Sequence, residues 1–344
     1  MPGTRLAVTR SQILAFRRRA GALDERLPPG PESLRQAAWA GLQDSMPRAA
    51  LLSIHARVAG TGPAAWEDPS LVQLWGPRFA IFVIAARDLA VFSLALLPDA
   101  ARRRHRAEDL ADRLAAAIGG ARVLHGQAGD AVGVRDANQL KYAAATGTVL
   151  IRWEGARQAV IWIVPRPPAD PGAARLELAR RYLHVYGPAT PEAFGRWSAI
   201  GPRAAAAFDA LGGELVPVQA PAGRAWILAS DEPGLRAAPG PAAPARLLPS
   251  GDAYYLLHGT DRDFLVPDPG RRDLLWTSRV WPGALLVGGE ITGTWRRGGA
   301  VVDAQPWRRL TAAERDAVEA EAASLPLPGS TGPVRVRWDE SVQA

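Results

Sequence analysis

RLELARRYLHVYGPATPEAFGRWSAIGPRAAAAFDALGGELVPVQAPAGRAWILA, residues 175–229, places three helices and a hairpin in a fixed order. Leu176, Leu178, Ala179, Tyr182, Leu183 and Tyr186 recur at helical spacing, and Gly187-Pro188 ends that helix. Thr190, Pro191 and Glu192 read as the cap and first turn of a second helix. Gly201-Pro202 restarts the chain into an alanine-rich third helix that stops at Gly212-Gly213. Strands at 214–218 and 225–229 follow, with Arg224 near the tip between them. Three helices and then a hairpin describe a winged helix.

The same theme recurs upstream. A helix at 107–118, a second capped by Asp136 and running through 145, and strands at 148–153 and 158–164 around Glu154-Gly155 make a middle copy. Helices near 11–21, 32–42 and 47–58 with a strand at 79–84 make a first copy, and a helix at 87–97 leads onward. The copies span residues 1–98, 99–170 and 171–230. Residues 231–250 are rich in Pro, Gly and Ala and read as a linker. In 251–344, strands near 254–257, 285–287 and 290–295, a tight turn at Gly288-Gly289, a Thr311/Glu314 capping box and a last strand at 334–338 describe a small β-rich unit. The expected class is α+β: three tandem winged helices plus this C-terminal unit.

Hydrophobic residues at 48% and charged residues at 22% of 344 support a sizeable core and argue against disorder. The absence of cysteine excludes a thiolate nucleophile, an iron–sulfur cluster and any Cys-based zinc site. The five histidines, His55, His105, His125, His184 and His258, lack metal-ligand spacing, and Gly119-Gly120 and Gly298-Gly299 match no phosphate loop or dinucleotide fingerprint. No metal or nucleotide cofactor is therefore expected. No secretory signal opens the chain, and the most apolar stretch, 79–97, is broken by Arg87-Asp88 and makes a poor membrane span. A cytoplasmic protein, nucleoid-associated in a prokaryote, is the expectation. Lys and Arg total 41 against 34 Asp and Glu, a net +7, and Lys141 is the one lysine. Arginine excess fits either GC-rich codon usage or a phosphate-bearing partner, since its planar fork matches phosphate.

AWAGLQDSMPRAA (38–50), its continuation LLSIHARV (51–58) and GTWR (293–296) resemble the AlkZ-like winged-helix DNA glycosylase family. With the order of units, the resemblance extends over most of the chain. It implies three winged helices around a concave basic channel for double-stranded DNA, and removal of alkylated bases, bulky or crosslinking adducts included in some members. The family's Gln-x-Gln motif, which ends in Asp in a related branch, falls on Gln43, Asp44 and Ser45; Ser45 departs from it at the last position. Where many members carry Arg-Gly-Thr-Leu-His, this chain reads Arg78-Phe79-Ala80-Ile81-Phe82, which removes a polar group.

A purine alkylated at N7 or N3 is cationic and leaves readily, so the enzyme's task is to place a water, stabilise an oxocarbenium-like sugar and hold the DNA open. A glutamine amide orients by hydrogen bonding but takes no proton at neutral pH. Asp44, the acidic residue inside the motif, is either a carboxylate that supplies the missing basicity or a cap for the helix beginning at Pro47; Ser45 carries the same capping alternative. Arg48, His55 and Arg57 are candidate DNA contacts on and before that helix, with a buried or surface structural role as the alternative for His55. Arg102, Arg103 and Arg104 either grip phosphates or solvate a helix start, and Arg224, Arg296 and Arg297 complete the basic set. Two functions follow: a monofunctional glycosylase for alkylated purines in base excision repair or self-protection, or a non-catalytic DNA-binding regulator or lesion sensor on the same fold. A protein-interaction scaffold without a DNA role is the third.

Overall fold

The computed structural model of the chain describes residues 6–44, 46, 48–153, 158–328 and 332–339. Strand β1 (Leu6–Ala7) precedes α1 (Arg10–Ala20), whose start is fixed by a capping box: Gln12 N–H donates to Thr9 Oγ1 and Thr9 N–H to Gln12 Oε1. Next come α2 (Pro31–Ala37), β2 (Leu42–Gln43), α3 (Ala49–Arg57), β3 (Leu71–Trp75) and β4 (Ile81–Ala85), the three strands ordered β2-β4-β3. Leu34, Leu42, Leu51, Ile54, Trp66, Leu71 and Val83 fill the core between them. The helix expected over 32–42 is cut short, because Leu42 and Gln43 pair with Val83 and Phe82 instead.

After the short α4 (Leu89–Ser93), α5 (Ala101–Ile118), β5 (Val123–Leu124), α6 (His125–Ala131), a 3₁₀ helix (Ala137–Thr146), β6 (Val149–Arg152) and β7 (Val160–Ile163) form a second unit with strand order β5-β7-β6. Asp136 caps the 3₁₀ helix through Asn138 N–H at 2.9 Å. The Glu154-Gly155 turn lies outside the described residues. A third unit holds α7 (Pro171–Tyr186), α8 (Pro191–Ser198), α9 (Arg203–Leu211), β8 (Leu215–Ala220) and β9 (Gly223–Leu228). Asp170 and Thr190 cap α7 and α8 through the N–H groups of Ala173 and Ala193.

Three expectations are corrected here. β1 pairs in parallel with β8, and Ile13 and Phe16 of α1 pack with Val218, Ile227 and Leu235, so the N-terminal segment completes the third unit rather than the first. The stretch 231–250 is not simply a linker. It contains α10 (Glu232–Arg236) and β10 (Ala245–Leu248), a strand buried along its whole length. β10 starts a five-stranded sheet, β10-β11-β12-β13-β14, with β11 (Gly283–Val287), β12 (Glu290–Gly298), β13 (Val301–Pro306) and β14 (Arg335–Trp338). Gly288 and Gly289, both at left-handed φ (58° and 86°), close the β11–β12 hairpin as expected. The segment near 254–257 is a 3₁₀ turn (Ala253–Tyr255), not a strand. α11 (Thr260–Leu265) and α12 (Pro269–Leu275) precede the sheet's second strand. α13 (Ala312–Ala323) carries the expected Thr311/Glu314 capping box and covers the sheet with Val318 and Ala322. No helix among the described residues is long and apolar enough to cross a membrane.

Candidate active site

Gln43 ends β2, an edge strand, and the strand continues through Asp44, whose N–H donates to the Ile81 carbonyl. Extended backbone sends successive side chains to opposite faces. On one face, Arg78 Nη2 donates to Gln43 Oε1 at 2.6 Å, and Arg78 Nη1 donates to the Trp197 carbonyl near the end of α8. A guanidinium only donates, so the Gln43 atom it meets is the carbonyl oxygen and the amide's orientation is set. Arg78 and Phe79 are the central residues of a turn closed by Ala80 N–H on the Pro77 carbonyl, with φ of 58° and 55°. Left-handed backbone costs a residue with a Cβ about 1–2 kcal/mol. This strained turn points the Arg78 guanidinium at Gln43.

The C-terminal unit supplies the facing wall. A Cβ on Gly251 would lie 3.0 Å from Gln43 Nε2, and Gly251 has φ +75°, so glycine suits the position on both counts. Next to it, Asp252 anchors this wall to α3. Arg57 Nη1 and Nη2 donate to the Asp252 carboxylate at 2.7 and 2.8 Å, and Ser53 Oγ and Tyr254 N–H donate to it as well. Burial alone would raise the Asp252 pKa; the Arg57 charge and these donors hold it below its usual value.

His258 stands beyond Gly251 with its Nε2 buried and unpartnered among the described residues. Burial, then the nearby charges of Arg78, Arg262 and Arg196, pull its pKa down to about 4, so it is a neutral imidazole at neutral pH. A Cβ on Gly259 would lie 3.5 Å from Arg196 Nη2, and Arg262 Nε donates to the Leu257 carbonyl. Among the described residues, no carboxylate lies within 4.0 Å of Arg78, Arg196 or Arg262. Arg78, which holds Gln43, thus shares the surroundings of His258 with Arg196 and Arg262, the last lying over the Trp276 and Trp281 rings.

The other face of β2 is different. Asp44 is 2% exposed; its Oδ1 accepts from Ala50 N–H at 2.9 Å, in the first turn of α3, and its Oδ2 accepts from Gln73 Nε2 at 2.6 Å. Gln73 is held in turn, its Oε1 accepting from Trp153 N–H at 2.7 Å. The Asp44 carboxylate therefore points away from Gln43 and caps α3, one of the two roles the sequence leaves open. Burial pushes its pKa up to about 6 against these hydrogen bonds. Asp44→Asn is expected to cost about 1–3 kcal/mol despite good capping by Asn, because its Nδ2 would face the Gln73 amide nitrogen. A chemical denaturation midpoint unchanged from wild type would contradict this.

The remaining candidates divide by exposure. Arg57 is 4% exposed in the Asp252 pair and His55 5% exposed, so neither presents a surface to DNA. His55 is caught between α3 and α13, its Nε2 near Ser324 Oγ (3.1 Å) and Arg26, while Arg26 bonds both Glu321 oxygens. Their assignment as DNA contacts is corrected to one of interior packing. Arg48, half-buried at φ 67°, lies 4.0 Å from the Trp66 ring centre, with Arg152 3.4 Å from the same ring. Arg102, Arg103, Arg224, Arg296 and Arg297 are exposed and Arg104 half-exposed. Ser45 and Pro47 lie outside the described residues. The sequence assigns no role to Arg78, Gly251, Arg196, Arg262 or His258, since only tertiary folding brings the first two to Gln43 and gathers the arginines around His258. A cleft of about 1130 Å³ lined by residues such as Trp39, Leu42, His184 and Pro244 does not include Gln43. Among the described residues, no group of three acidic, His or Cys side chains could hold a metal ion.

The ionisations set a pH dependence. His55, drawn down to about 4 by burial and by Arg26 and Arg246, and His258 both bind fewer protons folded than unfolded between about pH 4 and 6.5. Their contribution to stability rises with pH across that window, whereas Asp44, with its raised pKa, opposes it between about pH 4 and 6. Two groups outweigh one, so the melting temperature is expected to be higher at pH 7 than at pH 5, and His55→Gln should flatten the slope. A higher melting temperature at pH 5 would contradict it.

Comparison with known proteins places these features in context. The family model described as DNA glycosylase AlkZ-like matches residues 37–326. An interstrand DNA cross-link repair glycosylase of Streptomyces sahachiroi is 30% identical over 161 residues, 45% of this chain and 43% of that protein; the alignment thus spans less than half of this curated relative. The solved structure of Streptomyces sahachiroi DNA glycosylase AlkZ superposes with a TM-score of 0.79 at 20% identity, covering 97% of this chain and all of that one, which establishes a common fold.

Proposed function

This chain belongs to the AlkZ-like DNA glycosylase family, and from that premise we propose that it is a monofunctional N-glycosylase that excises alkylated purines from duplex DNA, with Gln43 positioning the reacting groups. The observation that carries the reading is the Arg78–Gln43 bond, which orients the amide of the motif's first glutamine on an edge strand. A held amide orients a water or a lesion, and exposed guanidiniums elsewhere on the surface suit the phosphates of the duplex. We read the three sheets as the wings of three winged helices. β2-β4-β3 and β5-β7-β6 share one strand order, and Ala189 bridges to Trp226 on the edge of β9 away from β8, the place equivalent to β2 and β5. The exposed Arg102, Arg103, Arg224, Arg296 and Arg297 support a basic DNA-binding surface.

A cationic N7- or N3-alkylated base needs little protonation to leave, which fits a site whose residues position rather than transfer protons. The name of the Streptomyces sahachiroi relative makes an interstrand crosslink a substrate to test here as well. A second reading, a DNA-binding protein that senses lesions without cleaving, is favoured by one observation: Asp44 is committed to α3, so it supplies no base at Gln43. Single-turnover incubation with a labelled N7-methylguanine duplex decides between them. The glycosylase reading expects free base. Binding that weakens steeply with salt, with neither this base nor a bulkier purine adduct released, would support the sensor instead.

A further inference from the structure

Phe79 and Tyr142 are large rings that the fold leaves outside, 38% and 49% exposed, yet they touch each other. Their centroids are 5.1 Å apart in an edge-to-face arrangement at 80°. They come from different units: Phe79 from the β3–β4 turn, Tyr142 from the 3₁₀ helix Ala137–Thr146. Lys141, the chain's one lysine, places Nζ 5.7 Å from the Phe79 ring and 5.5 Å from the Tyr142 ring. Burying such rings is the favourable course, so a surface pair built from two units needs a reason.

The backbone adds a second, independent observation. Arg78 and Phe79 occupy the two left-handed positions of their turn, where Asn-Gly would be at ease and branched or bulky side chains are not. Strain of this kind concentrates at functional sites. The turn has one consequence on each side: Arg78 turns inward to Gln43, and Phe79 turns outward to Tyr142. The aromatic pair therefore stands one residue from the contact that holds Gln43.

We propose that Phe79 and Tyr142, with Lys141, form a stacking wedge that enters duplex DNA beside the target nucleotide and keeps the helix open while the base is presented to Gln43. The proposal rests on the glycosylase reading above. An extruded nucleotide leaves unstacked neighbours, and aromatic faces stack on any base without reading sequence. Charge selects DNA as the occupant: Lys141 sits at both rings, and the chain carries a net charge of +7.

The test uses the full chain and a duplex with 2-aminopurine adjacent to N7-methylguanine. Wild type is expected to raise 2-aminopurine emission on binding, reporting unstacking. Phe79→Ala and Tyr142→Ala should each reduce that rise about threefold or more, and slow base release about tenfold, with the salt dependence of affinity unchanged because no cation is removed. Phe79→Gly should show the same losses while melting no lower than wild type, since glycine relaxes the turn; this separates a lost wedge from a damaged fold. Variants with wild-type emission and base release would overturn the wedge and leave the glycosylase reading standing. Wild type that fails to bind DNA would overturn both. Variants that change only sedimentation, from dimer to monomer, would assign the pair to a contact between copies of the chain and overturn the wedge.

Discussion

Arg57→Met is expected to destabilise the protein by about 3–5 kcal/mol, because it strands a carboxylate that has no route to water. The Asp252 side chain is 0% exposed, and Arg57 is the cation that neutralises it. Ser53 Oγ and Tyr254 N–H would remain as donors, but two neutral donors do not replace a bidentate guanidinium. The pair joins α3 to the segment that sets Gly251 against Gln43, so the loss should also loosen the site wall. Arg57→Met/Asp252→Asn, which removes the stranded charge, should recover part of the stability. Urea denaturation checks both variants; a loss under about 1 kcal/mol for Arg57→Met would show the pair to be dispensable.

Arg78→Gly is expected to slow base release about tenfold, no more than Gln43→Ala does, with little change in stability. Glycine accepts the φ of 58° without strain, which roughly offsets the hydrogen bonds lost to Gln43 Oε1 and the Trp197 carbonyl. What is lost is the contact that orients the Gln43 carbonyl oxygen. Because Arg78 acts through Gln43, the double variant Arg78→Gly/Gln43→Ala should be no slower than Gln43→Ala alone. Independent, multiplying losses would show that Arg78 contributes to the reaction by another route.

Much of the fold is legible in the sequence because local chemistry marks it. Thr190-Pro191 and Thr311/Glu314 announce helix starts, and Gly288-Gly289 announces a hairpin. β3 and α6 escape such reading: β3 runs LVQLW with Gln73 buried to hold Asp44, which breaks alternation, and α6 is a glycine-containing seven-residue helix. β10 is hidden by the Pro- and Ala-rich stretch before it and becomes a strand only by pairing with β11. The N-terminal segment's place in the third unit depends on the Leu6–Val218 pairing, more than 200 residues apart in sequence.

At the site, Gln43 is legible from its motif, but its surroundings are not. Arg78, Trp197 and the pair Gly251 and His258 come from three separate stretches, and no local pattern marks any of them. The sequence leaves Asp44 open between cap and catalyst, and side-chain alternation along β2 separates the two roles by sending it away from Gln43. Arg57 and His55 show why a basic residue on a helix near a motif is weak evidence for DNA contact. Both are paired inside the protein, with Asp252 and with the Arg26–Glu321–Ser324 group.

The central claim is that the Gln43 face is where the glycosidic bond breaks. Single-turnover release of N7-methylguanine from a labelled duplex by wild type and Gln43→Ala, with affinity for the same duplex measured beside it, tests this most directly. The account predicts base release by wild type, a loss of about tenfold or more in Gln43→Ala, and affinities within about threefold of each other. Equal release by the two proteins would place the chemistry elsewhere on the molecule and contradict it.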